Sequence, residues 1–369
     1  MATDVLDDRF GLGETIGGMV LLSITGALPE LAITVSAVSS GHLDIAAGNL
    51  IGGVAMQTLV LVIADRFMRG SHPLSTASAS LVPALEGTLV ICVVGITVMS
   101  GLLPASAVVG PLGVGSIAIL VVWLVGMVAL GRCRDRKDMD LAVPPDPTAP
   151  ATMPAADGSG KSGLHNASTA RNVTIFLAAS VVTLVAGVVL EQSGDRLADL
   201  MGINGVLFGA TVLALASALP EISTAITGVK MKTYTLVFGD IFGGNAFQLI
   251  LFVLADLLAG QPVLTHEGRA NAWIGMIGLV MTAVYVGGIL LRKPRRYWGL
   301  GADSWAALLI YVLGTWGFVL VSRSARRFRS VRSAATTPRY WASSNSEKPD
   351  RSACASAMRG WRKPANVSR

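Results

Sequence analysis

Long apolar segments separated by short polar breaks make up most of this chain. A helix needs about 20 residues to cross the hydrocarbon core of a bilayer. Nine segments have about this length: 11–39, 44–64, 81–100, 111–131, 172–190, 203–229, 234–258, 270–291 and 305–322. The pattern therefore predicts an all-α polytopic membrane protein.

The composition supports this prediction. Of the 369 residues, 52% are hydrophobic and only 14% are charged, and the mean hydropathy is +0.61. Soluble domains carry about 25% charged residues. We therefore expect a lipid bilayer as the surrounding medium and no nucleic-acid partner. The three cysteines are far apart, so neither a disulfide framework nor a cysteine metal site is expected.

Two segments depart from the apolar pattern. Residues 132–171 begin with RCRDRKDMD and continue as a Pro-, Ala- and Gly-rich run, which predicts a linker. Residues 324–369 carry 11 Lys and Arg against 2 Asp and Glu, whereas the rest of the chain carries 18 against 21. This basic tail has no apolar periodicity, and we expect it to be disordered.

Basic residues in the loops predict the orientation, because they favour the cytoplasmic side of a membrane. They cluster after the second, fourth, sixth and eighth spans, which all end on one side. These residues are Arg66, Arg69, Arg132, Arg134, Arg136, Lys137, Lys230, Lys232, Arg292, Lys293, Arg295 and Arg296. We therefore expect a cell-membrane protein with a cytoplasmic N-terminus and linker. A ninth crossing would leave the basic tail outside, so either 305–322 does not cross fully or the tail is a foreign addition.

A proline and a glutamate interrupt the first span at Ala27-Leu28-Pro29-Glu30. A charge at the bilayer centre costs about 2.5–3.5 kcal/mol on insertion scales, and the proline removes a helical hydrogen bond. Carbonyl groups freed in this way are tolerated at membrane depth only where they line a cavity or bind an ion. Together with a carboxylate they offer the oxygen ligands that Ca²⁺ requires.

The same tetrapeptide recurs at residues 218–221, and the two copies align with a constant shift of 191 residues. Over residues 25–65 the alignment has 13 identities in 41 positions, including Gln57 with Gln248 and Asp65 with Asp256. Because the copies lie five spans apart, equivalent helices are predicted to cross in opposite directions. Inverted repeats of this kind are typical of secondary transporters, whose substrate site lies near mid-membrane.

The repeat divides the chain into a first membrane repeat, 1–131, and a second, 172–323, on either side of the linker. The shift of 191 places the counterpart of span 172–190 upstream of Met1. We therefore expect four helices in the first repeat and five in the second. The first helix of the first repeat would be either lost or encoded upstream.

At these residues the chain resembles the sodium/calcium exchanger (calcium/cation antiporter) superfamily. The first copy reads TGALPE and then GNLIGGVAMQ, and the second reads ASALPE and then GDIFGGNAFQ. These are similar to two motifs that the family carries in each of its inverted repeats. The resemblance implies two five-helix repeats that exchange Ca²⁺ for H⁺ or Na⁺ by alternating access.

The resemblance also implies a metal site. Its ligands would be Glu30, Glu221, Asn49, Asp240, Asn245 and Ser217. The glutamates come from the Pro-Glu pairs, and Asn49 and Asp240 each follow the first glycine of the second motif. Asn245 stands where the family has an asparagine, and Ser217 stands where it has a hydroxyl residue. No organic cofactor is implied, the partners would be inorganic cations, and the oligomeric state stays open.

The chain departs from the family pattern where Ala27 and Ala218 replace a serine and Gly26 replaces a threonine. Hydroxyl groups that help the family to bind Na⁺ are mostly missing. We therefore expect H⁺ rather than Na⁺ as the counter-ion.

Other interpretations stay open at this point. A passive cation channel would also place acids in the membrane. An intramembrane aspartyl protease needs two facing aspartates, whereas the repeats supply two glutamates and one aspartate, so no enzyme is expected. Glu86 is either a helix-end or a pore-mouth carboxylate, and Asp65 and Asp256 are either interfacial charges or part of an ion entry path. The histidines, including His42, lie alone in predicted loops and are expected to be solvated.

Overall fold

The computed structural model of the protein describes residues 26–78, 80–134, 139, 169–201, 205–265, 268–292 and 295–336. Most of the first predicted span, most of the linker and the tail beyond residue 336 lie outside these ranges. Every structural statement below concerns the described residues.

Helices account for almost all of the described chain. They are α1 (Leu28–Ser39), α2 (Leu43–Phe67), α3 (Leu74–Ala77), α4 (Val82–Ser100), α5 (Val114–Arg134), α6 (Thr169–Met201), α7 (Gly205–Phe208), α8 (Ala214–Ser217), α9 (Leu219–Lys230), α10 (Tyr234–Gln248), α11 (Leu251–Ala259), α12 (Gly268–Leu291) and α13 (Ala302–Thr336). A π-helical turn, Gly209–Leu213, joins α7 to α8, and a 3₁₀ turn, Val263–Thr265, precedes α12. Two antiparallel hairpins complete the fold: β1 (Val108–Val109) with β2 (Leu112–Gly113), and β3 (Arg296–Tyr297) with β4 (Leu300–Gly301).

The prediction of an all-α membrane protein is confirmed. Six helical segments in the described ranges are long and apolar enough to cross a membrane. They are Leu43–Phe67, Val82–Ser100, Val114–Cys133, Tyr234–Ala259, Arg269–Leu291 and Ala302–Val319. The bent pair Gly205–Ser217 and Leu219–Lys230 counts as one more. In addition, α1 belongs to the first predicted span and α6 contains the span predicted at 172–190.

Two predicted spans are interrupted rather than continuous. Span 203–229 bends by 45° between Ser217 and Leu219, because Pro220 lacks the N–H that an uninterrupted helix would use here. Span 234–258 is broken between α10 and α11 at Leu249–Ile250. The bend places Glu221 in the first turn of a new helix, α9, instead of in the middle of a long one.

The central helix is α2, of which almost the whole apolar stretch is buried inside the protein. Two of its glycines allow the chain around the π-helical turn to approach its backbone. A Cβ on Gly52 would lie 2.2 Å from Cα of Ala210, and one on Gly48 would lie 2.6 Å from the carbonyl oxygen of Val206. No larger residue fits at either position without a backbone shift.

Asp65, at the end of α2, is completely buried and holds the hairpin β3–β4. Its carboxylate accepts hydrogen bonds from the backbone N–H of Leu74 at 2.8 Å and of Gly301 at 2.6 Å. The Ser304 hydroxyl, in the first turn of α13, donates a third at 2.8 Å. The first half of the chain therefore fastens the last hairpin and helix of the second half.

Asp256, at the equivalent position of α11, makes the reciprocal set of contacts and is also completely buried. It accepts hydrogen bonds from the backbone N–H of Val263 at 2.8 Å and of Gly113 at 2.9 Å. The Ser116 hydroxyl of α5 donates at 2.6 Å. Both aspartates are thus buried structural anchors near the ends of their helices and not charges exposed to solvent.

The anchors bring together loops that were predicted on the same side of the membrane. The end of α2 meets the hairpin β3–β4, and the end of α11 meets the hairpin β1–β2. Arg296 strengthens the first contact by donating hydrogen bonds to the carbonyl oxygens of Asp65 and Met68. Which of the two sides is cytoplasmic stays a prediction.

The helix α13 continues past the predicted start of the disordered tail, to Thr336. Residues 324–336 are therefore helical, in contrast to the expectation. They are rich in Ala and Arg, which are good helix formers and extend a helix that the apolar span has already begun. The rest of the tail lies outside the described residues.

Candidate functional site

Both Pro-Glu segments form the first turn of a 12-residue helix, α1 in the first copy and α9 in the second. The residues that precede these helices have nearly the same backbone conformation, with φ −85° and ψ 9° at Ala27 and φ −81° and ψ 0° at Ala218. Proline is tolerated in a first helical turn, where its missing N–H would have no partner in the helix. The two glutamates therefore occupy equivalent places at the start of equivalent helices.

Glu30 is completely buried at the start of α1. Its Oε1 accepts a hydrogen bond from Nε2 of Gln57 at 3.3 Å. The Ser217 side chain, from the second copy, lies against the same carboxylate. Its Oε2 has no hydrogen-bond partner among the described residues. One carboxylate oxygen therefore remains available to a cation or a proton.

Glu221 lies close enough to Glu30 for the two carboxylates to repel each other. It is 7% exposed, and its Oε2 likewise has no hydrogen-bond partner within the part of the chain that the structure describes. Asp240 adds a third negative charge near Glu221 and accepts a hydrogen bond from the Thr224 hydroxyl at 2.8 Å. Neighbouring acids in a site of low polarity need a bound cation or protons to be stable.

Gln57 and Gln248 form a polar bridge between the two halves beside Glu30. Nε2 of Gln57 donates to Oε1 of Gln248 at 2.9 Å, in addition to its bond with Glu30. Nε2 of Gln248 donates to the carbonyl oxygen of Leu50 at 2.7 Å. The family resemblance assigned these glutamines no ligand role, but their match in the 191-residue register was a signal that could have singled them out.

The asparagines of the predicted site do not bond to the glutamates. Asn49 is completely buried in α2, and neither its Oδ1 nor its Nδ2 has a hydrogen-bond partner in the described chain. Asn245 is also buried and donates from Nδ2 to the Thr58 hydroxyl at 3.3 Å. The structure thus gathers Glu30, Ser217 and Glu221, with Asp240 near Glu221. The ligand roles of Asn49 and Asn245 stay predictions.

Glu86 is a further acid inside the protein. It is 4% exposed, on α4, and its carboxylate packs against Gly239, where an added Cβ would lie 3.4 Å from Oε2. Gly239 is the residue before Asp240. Glu86 is therefore a buried carboxylate near the start of α4, next to the part of α10 that carries Asp240.

No group of three or more His, Cys, Asp and Glu side chains in the described ranges converges closely enough to hold a metal ion. The site consists instead of two neighbouring glutamates, with the Gln57 amide and the Ser217 hydroxyl beside Glu30. Such an arrangement can bind a cation or two protons with oxygen ligands, but it is not a preformed cage of three acids.

Comparison with known proteins identifies relatives over most of the chain. A family model described as "Sodium/calcium exchanger protein" matches residues 1–131 and 171–323. The match leaves out most of the predicted linker and the basic tail.

Two curated relatives match with similar coverage. The "Inner membrane protein YrbG" of Escherichia coli (strain K12) is 27% identical over 274 residues, which are 73% of this chain and 75% of the relative. The "Putative antiporter CaxA" of Alkalimonas amylolytica is 25% identical over 294 residues, which are 78% of this chain and 83% of the relative.

A solved structure has a similar fold. The crystal structure of the "H+/Ca2+ Exchanger CAX" superimposes with a TM-score of 0.53, covering 90% of this chain and 86% of that chain at 12% sequence identity. At this identity the likeness concerns the fold, and it agrees with the all-α membrane architecture described above.

Proposed function

Because this chain belongs to the sodium/calcium exchanger protein family, we propose that it is an antiporter that exchanges Ca²⁺ for H⁺ or Na⁺ across the cell membrane. One of its relatives is described as a putative antiporter. The observation that carries the proposal is the pair Glu30 and Glu221, two neighbouring buried carboxylates that each keep one oxygen without a hydrogen bond.

The charge of this pair gives a physical reason for exchange rather than free passage. Two ionised carboxylates inside a membrane protein are costly unless something neutralises them. One Ca²⁺ balances both charges, and so do two protons. The pair of glutamates is then nearly neutral in both loaded states and doubly negative when empty, and the charge of the neighbouring Asp240 is common to both loaded states. A conformational change that opens the site to the opposite side of the membrane is therefore favoured only when a cation or protons are bound.

The ligands that we propose for Ca²⁺ are oxygen atoms, which this ion binds in groups of six to eight. Glu30 and Glu221 would supply carboxylate oxygens, and the Ser217 hydroxyl lies beside Glu30. Asp240 would contribute from the neighbourhood of Glu221. The amides of Asn49 and Asn245 each keep a buried oxygen without a hydrogen bond in the described chain and are the further ligands of the proposed set.

We favour H⁺ over Na⁺ as the counter-ion. Ala27 and Ala218, which precede the two Leu-Pro-Glu segments, carry no hydroxyl that could bind Na⁺. Carboxylates can exchange Ca²⁺ for protons without any dedicated Na⁺ ligand.

Uptake of radioactive Ca²⁺ into proteoliposomes tests the proposal. We expect saturable uptake driven by an outward H⁺ gradient, little uptake with an outward Na⁺ gradient at equal pH, and none in protein-free vesicles. Uptake that requires Na⁺ and ignores pH would reverse the choice of counter-ion. Uptake that proceeds without any counter-gradient and does not saturate would indicate a channel and overturn the proposal.

A further inference from the structure

A cluster of four polar side chains joins α1 to α6 at the end of α1 that lies far from Glu30. We call Ser36, His42, Glu191 and Asp195 the His42 cluster. The Ser36 hydroxyl donates to Oε2 of Glu191 at 2.7 Å, and Nδ1 of His42 lies 3.1 Å from Oε1 of the same carboxylate. Nε2 of His42 lies 3.5 Å from Oδ2 of Asp195. The expectation that His42 is an isolated, solvated loop residue is therefore wrong.

The cluster continues a close contact between α1 and α6 that begins beside Glu30. Gly187, Glu191 and Asp195 are spaced by four residues and lie on one face of α6. A Cβ on Gly187 would lie 2.6 Å from Cβ of Ala32 and 3.2 Å from the carbonyl oxygen of Pro29. The same face of α6 therefore follows α1 from the residue before Glu30 to His42.

The backbone around His42 is fixed by the way in which α1 ends. Gly41 has φ +82°, a left-handed conformation that favours glycine. The N–H of His42 donates to the carbonyl oxygen of Ala37 at 2.8 Å, and that of Gly41 to Val38 at 3.0 Å. This pair of bonds is the Schellman arrangement of a helix C-terminus. His42 is the residue immediately before α2, so its backbone is held between the end of α1 and the start of α2.

The geometry of the ring fits a protonated histidine. Each ring nitrogen faces a carboxylate oxygen, and a neutral imidazole has only one N–H to donate. Glu191 is completely buried, whereas His42 and Asp195 remain partly exposed, at 35% and 27% of their side chains. The proton can therefore exchange with solvent, but the carboxylate that depends on it cannot reach water.

The charges that face His42 come from two helices: Glu191 and Asp195 on α6, and Asp44 on α2. Partial burial lowers the pKa of His42. The hydrogen bond with Glu191 and the three negative charges outweigh this effect, so that the pKa lies above its usual value. The charged form therefore persists at neutral pH more readily than in a free histidine.

We propose that Glu191 is a positioning residue, which holds α1 and the Glu30 that it carries against α6 for as long as His42 is protonated. When His42 loses its proton, the buried Glu191 loses its only described cationic partner and keeps only neutral donors, the Ser36 hydroxyl and at most one ring N–H, so its burial becomes less favourable. The part of α6 that carries Glu191 then separates from α1 so that Glu191 can be hydrated. The contact is present below the pKa of His42 and is lost as the pH rises through it.

Thermal unfolding of the purified protein as a function of pH tests this inference without any transport. At about pH 5 the Tm of the wild type should exceed that of His42→Gln by about 2–4 °C. The difference should shrink as the pH rises and vanish at about pH 9. Glu191→Gln should remove the same pH dependence, and Asp195→Asn, which changes a more exposed partner, should remove less. A matched control is Thr88→Val, which changes no titratable group and whose pH profile should run parallel to that of the wild type. Parallel profiles for the wild type and His42→Gln would overturn the inference.

The transport readout rests on the proposed function and separates positioning from simple destabilisation. In proteoliposomes protons compete with Ca²⁺ at Glu30 and Glu221 in every variant, so the informative quantity is the ratio of the KM of His42→Gln to that of the wild type. This ratio should exceed one at acidic pH and fall towards one as the pH on the His42 side of the membrane is raised, with a smaller change in maximal rate. If no variant transports Ca²⁺ but the Tm profiles differ as expected, the proposed function fails and the positioning role stands. If transport is present and the KM of wild type and His42→Gln change with pH in parallel, the positioning role fails.

Discussion

Gln57 donates a hydrogen bond to Gln248 at 2.9 Å, although the two residues occupy the same position in the two copies of the repeat. A bond between equivalent amides is necessarily unequal, because one donates and the other accepts. Gln57 also donates to Glu30, whereas Gln248 donates to a backbone carbonyl. We expect these roles to be exchanged in the opposite-facing conformation, where Gln248 would donate to Glu221.

Replacing either glutamine should therefore impair transport. Gln57→Leu removes the amide that bonds Glu30, and Gln248→Leu removes the equivalent amide of the second copy. Because a hydrogen bond to a charged group is lost in one of the two conformations, we expect the KM for Ca²⁺ to rise about tenfold or more in each variant. Thr88→Val, which loses only a bond to the carbonyl oxygen of Ala84 in its own helix, is the control. Wild-type KM values in both glutamine variants would contradict the exchange of roles.

The two glutamates should be individually essential. Glu30→Gln and Glu221→Gln each remove a charge that only the bound cation or protons compensate, so either change should reduce Ca²⁺ exchange to background. Because an amide is easier to bury than a carboxylate, the variants should be at least as stable as the wild type. Parallel measurements of uptake and of Tm check both statements, and full transport by either single variant would rule out the paired site.

The approach of α2 to the π-helical turn predicts a sharp difference between two glycines. Gly52→Ala places a methyl group within 2.2 Å of Cα of Ala210, so the backbone must shift, at a cost of about 1–3 kcal/mol. Gly95→Ala places one where the nearest described atom is 3.9 Å away. Unfolding temperatures in detergent should fall clearly for the first variant and remain unchanged or rise for the second. Equal temperatures would show that the contact is looser than described.

The two aspartate anchors should contribute about equally to the stability of the protein. Asp65→Asn and Asp256→Asn each leave one fewer acceptor for two backbone N–H groups and a serine hydroxyl, so each should destabilise the protein by about 1–3 kcal/mol. Ser116→Ala and Ser304→Ala remove only one donor from each anchor and should have smaller effects. Thermal unfolding measures all four variants. A large effect at one aspartate and none at the other would contradict the reciprocal arrangement.

The sequence predicts the parts of the fold that follow from local patterns. Apolar length locates the helices, and proline marks the bend before Glu221, because both act within a few residues. The 191-residue register also pairs Gln57 with Gln248, although it does not reveal that they touch. The direction in which the two copies cross the membrane stays a prediction.

Contacts between distant segments leave no such pattern. His42 contacts Glu191, which lies 149 residues away, and the local sequence around either residue does not predict this contact. Asp65 looks like a charge at the end of a span until the hairpin that it binds, more than 230 residues away, is placed beside it. The π-helical turn depends on how closely Gly52 allows Ala210 to approach, which is a property of two packed helices and not of either sequence alone.

The reciprocal anchors have a consequence for how a gene could encode this protein. Asp65 binds Gly301 and Ser304, and Asp256 binds Gly113 and Ser116, so each half closes the other and neither set of bonds involves residues 135–168. The order of the halves along the polypeptide is then immaterial to the anchors. The same anchor hydrogen bonds could form between two separate half-length chains. They could also form in a permuted chain that begins at residue 169 and continues from residue 323 into residue 1.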